Sequence, residues 1–168
     1  NQRVVIGAAA SGISLGVAGG THHAIEDLAL MRSLPNMTVI VPADVNEAYR
    51  ATLATLEIDG PVYLRLGGRV EEPPVGDPEA PFRLGKAAQL RAGNDLAVIA
   101  CGALVELALR ASDALKQEGI GVRVLNMHTI KPLDSEAILK AATETRGIVT
   151  AEEHRLTGGL GGAVAELL

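Results

Sequence analysis

The chain has 168 residues, 48% of them hydrophobic and 19 of them glycine, with only Tyr49, Tyr63 and Phe82 as aromatics. Its core is therefore aliphatic, the balance found in α/β proteins with buried parallel strands. A net charge of −5 without a Lys/Arg cluster excludes a nucleic-acid footprint, and the single cysteine, Cys101, excludes an internal disulfide and points to a cytoplasmic home.

In chain order, 3–7 is a short apolar run that predicts a strand. The run 4–20 carries no charge but is too rich in Gly, Ala and Ser for a membrane helix, and nothing resembles a signal peptide. Residues 25–33 have helical spacing, with Ile25, Leu28, Ala29 and Leu34 on one face, and Pro35-Asn36 ends them. A β-branched strand follows at 38–41. Asp44, with Glu47 three residues on, forms a capping box for a helix reaching about Leu56. Gly60-Pro61 then turns the chain into a strand at 62–66. The β-α-β-α-β order favours a parallel sheet.

Residues 71–81 hold four prolines and four acids in eleven positions, a composition for neither helix nor central strand, and are expected to be an extended linker. Beyond it come an edge strand at 86–91, a buried strand at 96–100 and a helix at 103–117, ended by Gly119 and Gly121. A strand at 122–126, a helix at 136–143 capped by Asp134 or Ser135, a strand at 147–151 and a final helix after the 158–162 glycine loop complete the pattern. The chain opens on Asn1 rather than Met and closes inside an apolar helical pattern, so truncation at both ends is expected.

Gly19-Gly20-Thr21-His22-His23 carries the most chemistry. The glycines let backbone pass close to a ligand, and an imidazole at a helix start can donate a hydrogen bond or act as acid and base. The bland alternative is a loop with two surface histidines. Metal binding is disfavoured, because adjacent histidines diverge and only Glu26 stands one helical turn from His22. Gly158 to Gly162 lacks the full dinucleotide fingerprint and reads as a tight strand–helix turn. Glu152-Glu153-His154 admits a metal or acid–base reading beside a structural one. His128 reads as a loop histidine and Cys101 as a buried small hydrophobe.

The segment 19–36, continued by Val41-Pro42-Ala43-Asp44-Val45-Asn46-Glu47-Ala48 and Gly60-Pro61-Val62-Tyr63-Leu64-Arg65, resembles the second half of the pyrimidine-binding domain of transketolases. That family's pattern runs G-x-T-H-Q, an acidic-apolar helix, R-x-x-P-N, P-A-D-x-N-E and G-P-x-x-x-R. The second half resembles the transketolase C-terminal domain, through Lys131-Pro132-Leu133-Asp134 and Glu152-Glu153-His154 followed by Gly158-Gly159-Leu160-Gly161. The resemblance covers essentially the whole chain. It implies an α/β fold in three parts. Residues 1–70 are the end of a doubly wound pyrimidine-binding domain, 71–81 the linker, and 82–168 a second α/β domain.

The resemblance also implies function. His22 falls on the histidine that lies by the cofactor's thiazolium and touches substrate oxygen, and Arg69 falls near the arginine that helps hold a sugar phosphate. His23 stands where Gln is usual. Ala18 and Ala10 stand where the family carries an acidic residue and a histidine that contact substrate. The activity implied is transfer of a two-carbon ketol unit between sugar-type substrates with thiamine diphosphate and Mg²⁺. The glutamate that activates the cofactor and the metal-binding half are absent, so the chain alone is expected to bind no cofactor or metal and to be inactive. The implied partners are the diphosphate-binding half or subunit and a second copy in a dimer. Two other readings are a non-catalytic interaction module with a degenerate site and part of a 1-deoxyxylulose-phosphate synthase.

Overall fold

A computed structural model describes residues 2–67 and 73–168 of the chain. The first five elements are β1 (Val5–Ala8), α1 (Asp27–Ser33), β2 (Thr38–Ile40), α2 (Val45–Ala54) and β3 (Val62–Arg65). β3 lies between β1 and β2 and runs parallel to both. All four of its residues are buried, as an interior parallel strand requires. β1 has the apolar sequence of a buried strand but sits at the sheet edge, with Val5 and Ile6 exposed.

The remaining elements are β4 (Ala88–Arg91), β5 (Leu96–Ala100), α3 (Leu104–Gln117), β6 (Val122–Asn126), β7 (Thr129–Lys131), α4 (Ser135–Glu144), β8 (Ile148–Ala151) and α5 (Leu160–Leu167). A second sheet has the order β4-β6-β5-β8, parallel except for the antiparallel edge strand β4. β7, where no strand is predicted, leaves this sheet and pairs antiparallel with β2 of the first. One apolar cluster accordingly draws on both sheets and both sets of helices, joining Leu28, Val39 and Tyr63 to Ile99, Met127 and Leu160.

The predicted Asp44 cap forms, with the reciprocal Glu47 bond falling one residue before the N-cap. Asp44 Oδ1 accepts from Glu47 N at 2.7 Å, and the Glu47 carboxylate turns back to accept from Ala43 N at 2.7 Å. Asn126 Nδ2 donates to both Glu47 oxygens at 2.9 and 3.1 Å, so the cap also grips β6. Burial raises the Glu47 carboxyl pKa, against the hydrogen bonds that favour its charge. Residues 73–81 form no helix or strand and are largely exposed, yet they are tied down. Val75 N donates to Asp44 Oδ2 at 2.8 Å and Arg50 Nη1 donates to the Pro78 carbonyl.

Candidate active site

The histidine pair sits in a turn that glycine permits. Gly19 has φ +76, and Gly20–His22 form one turn of 3₁₀ helix closed by a bond from His22 N to the Gly19 carbonyl at 3.0 Å. A Cβ on Gly19 would meet nothing, so its backbone angle is what calls for glycine. His22 is exposed, and its Nδ1 lies 3.0 Å from the Thr21 hydroxyl. When that hydroxyl donates to Nδ1, the proton resides on Nε2, which is then presented outward as a donor. His23 is partly buried, and its Nε2 has no hydrogen-bond partner among the described residues.

Helix α1 begins two residues later than the 25–33 pattern predicts, because Ala24 is held in an antiparallel bridge and Ile25 and Glu26 are bound by Arg155. Ala24 and Gly12 exchange two backbone hydrogen bonds, of 3.1 and 3.0 Å. Arg155 N donates to the Ile25 carbonyl at 3.0 Å, and the Arg155 guanidinium pairs with Glu26 at 2.9 Å. Leu34 ends outside the helix and is exposed.

Beneath this loop lies a cluster with a buried charge. Arg65, at the end of β3, is 3% exposed. Its Nε and Nη2 donate to the two carboxylate oxygens of Asp27, at 2.7 and 3.2 Å, and Nη2 also donates to the carbonyls of Ala24 at 2.8 Å and Glu153 at 2.9 Å. The Tyr63 hydroxyl donates to Asp27 at 2.8 Å, and burial together with that carboxylate raises the phenol's pKa. Sequence reasoning places Arg65 in a pattern but assigns it no role. The signal it offered was an arginine within an otherwise apolar interior strand, which must be paired if it is buried.

The other expected positions separate. Arg69 lies outside the described residues. Ala18 is exposed on a short 3₁₀ turn, Gly16–Ala18, and Ala10 adopts φ +58, an unfavourable angle for a residue with a Cβ. The glycine loop before α5 is no phosphate cradle. The Glu152 carboxylate already accepts from Leu160 N at 2.6 Å and Gly161 N at 2.8 Å, and a Cβ on Gly159 would lie 2.3 Å from that carboxylate. His154 Nε2 accepts from Ala29 N at 3.3 Å, so the Glu152-Glu153-His154 run is a contact between the two halves. Cys101 is buried, and burial pushes its thiol up to about 12, where it is no nucleophile. Among the described residues no group of three or more His, Cys, Asp or Glu could hold a metal ion, and no helix is long and apolar enough to cross a membrane.

Comparison with known proteins places these features in context. Residues 1–69 match the family description "Transketolase, pyrimidine binding domain" and residues 85–168 match "Transketolase, C-terminal domain". The chain is 45% identical over 159 residues to the SqwH subunit of a 6-deoxy-6-sulfo-D-fructose transketolase from Clostridium sp. (strain MSTE9), covering 94% of this chain and 48% of the relative. It is 39% identical to a 1-deoxy-D-xylulose-5-phosphate synthase from Heliobacterium modesticaldum, covering 92% of this chain and 24% of that enzyme. Among solved structures, a split-gene transketolase described as an inactive beta4 tetramer superposes with a TM-score of 0.89 at 44% identity, over 98% of this chain and 52% of that one. The chain thus spans about half the length of the split-subunit relatives it matches.

Proposed function

Because the chain belongs to the transketolase family, we propose that it is the pyrimidine-binding and C-terminal portion of a cytoplasmic thiamine-diphosphate enzyme that transfers a two-carbon ketol unit between sugar-type substrates. On this reading residues 1–70 and 82–168 are its two domains, joined by 71–81. A diphosphate-binding half, on another segment or subunit, supplies the Mg²⁺ site, and the working assembly contains at least a dimer. Support comes from relatives named as transketolase subunits and from a structural neighbour named as a split-gene transketolase.

The described residues do not fit the metal-bound diphosphate. They form no metal-ligating cluster, and Glu152 fills the one glycine-rich helix start with a carboxylate of the wrong sign. No step through the cofactor is therefore assigned to this chain. What it supplies is His22, with Nδ1 anchored on Thr21 and Nε2 free to donate to a substrate oxygen as charge develops there. That exposed, anchored imidazole is the observation that carries the reading.

In the complete enzyme, His22→Ala should lower turnover by roughly two to four orders of magnitude, the range for a positioned acid–base group, with little change in cofactor affinity. His23→Ala should be mild. Full activity in His22→Ala with loss in His23→Ala reverses the assignment of the two histidines. Silence of both favours the non-catalytic interaction module, a reading that the apolar side chains at Ala10 and Ala18 also support.

A further inference from the structure

We propose that Arg65 is the positioning residue for His22, and that Glu153 of the second half acts on the active-site loop through it; the catalytic part of this claim rests on the reading of His22 above. The loop from Ile13 to His23 makes only hydrogen bonds within itself or with Ser11 among those described, and most of it is exposed. Its fixed end is Ala24. The Ala24 carbonyl receives two donors, Gly12 N and Arg65 Nη2, while Ala24 N returns a bond to Gly12. His22 stands two residues away, so its backbone is placed from this point.

Arg65 is suited to the task because it is interior, charged and multiply bonded. The carboxylate of Asp27, at the first residue of α1, orients the guanidinium through Nε and Nη2, and the same Nη2 lies within reach of two carbonyls. One carbonyl is Ala24, from the histidine loop. The other is Glu153, from the chain after β8. Glu153 approaches the loop a second time, since a Cβ on Gly12 would lie 2.2 Å from its side-chain oxygen. Arg155 then binds Ile25 and Glu26, so the three residues after His23 are held by Arg65 and Arg155. A lysine keeps the charge but has no planar fork to serve Asp27, Ala24 and Glu153 together.

The test uses Arg65→Lys, with Asp27→Asn as a gentler second variant. In this chain, hydrogen exchange should quicken at the Gly12 and Ala24 amides by tenfold or more, while the amides of β5 and β6 stay unchanged. In the complete enzyme, kcat should fall about 10- to 100-fold, the scale of a misplacement near 1 Å. The loss should vanish in a His22→Ala background, because a positioning residue has nothing left to position. Equal losses with and without His22, or unchanged exchange at Ala24 in both variants, overturns the proposal. If His22→Ala alone keeps full turnover, the catalytic reading of His22 fails. The exchange result at Ala24 then decides the positioning claim by itself.

Discussion

The stability of this fold should fall with acid through one buried imidazole. His128 lies in the loop between β6 and β7 and is 3% exposed. Its ring centroid is 4.3 Å from that of Phe82, and its Nδ1 is 2.9 Å from the Thr129 hydroxyl. Burial, reinforced by the Arg50 cation and opposed by Asp134, lowers its pKa from 6.5 to about 4. A group that binds its proton less readily when folded is protonated first in the unfolded chain. Between pH 6.5 and 4 the unfolded state therefore holds more protons, and stability drops as pH falls through that window. At 1.36 kcal/mol per pKa unit the whole window is worth about 3 kcal/mol. Glu47 has the opposite sign. Its raised pKa contributes stability that is present at low pH and lost as pH rises through the folded value, so the raw pH profile mixes the two. Urea unfolding at pH 7, 6, 5 and 4 should be compared between Glu47→Gln and Glu47→Gln/His128→Gln. The constant offset reports lost packing on Phe82, whereas the slope of the difference reports the proton. A difference that stays flat from pH 7 to 4 refutes burial of a neutral imidazole.

Two further outcomes follow from local geometry. Glu152→Gln should weaken the anchoring of α5 by about 1–2 kcal/mol, since a neutral amide replaces a charged acceptor of two backbone N–H groups, and should lower Tm by roughly 2–8 °C; an unchanged Tm removes the capping role. Ala10→Gly should stabilise the chain by about 0.5–1 kcal/mol, because relief of a left-handed alanine outweighs the extra unfolded-state entropy of glycine, and a lower urea midpoint contradicts this.

What the sequence revealed was local. The β-branched run at 38–41, the apolar run at 96–100 and the caps at Asp44 and Asp134 each signal their element within a few residues, and each forms nearly as expected. The helix predicted from residue 25 starts instead at Asp27, since its first two residues are claimed by Arg155 and, through Ala24, by Gly12. Those partners lie far away in sequence, and no periodicity reports them. Nor could pattern show that β7 crosses to the first sheet. Its three residues are too few for a period-2 signal, and Lys131, which would mark an exposed end, instead donates to the carbonyls of Arg32 and Leu34. In the site, the glycines and the histidine pair were legible as types. Which imidazole is anchored and which is enclosed depends on the Thr21 rotor and the turn, and only the fold displays it.

The same distance argument explains why the second half matters to a loop carried by the first. From Glu26 to Arg32, α1 and its approach bind residues between 154 and 166 through the Arg155–Glu26 pair, the Ala29–His154 bond and Arg32, which donates to Gly158, Gly159 and Glu166. Each exposed ion pair there contributes little alone. The backbone acceptors differ, because a buried carbonyl left without its donor costs about 1–3 kcal/mol. Arg65 serves two such carbonyls and one carboxylate from a buried position, so its loss takes a donor from all three at once, leaving Ala24 with Gly12 N and Asp27 with the Tyr63 hydroxyl. A seam built this way is stiff because its failure is collective. The exposed turn that carries His22 can then be flexible in itself and still return to one place, since Ala24 at its end is held by Gly12 and Arg65.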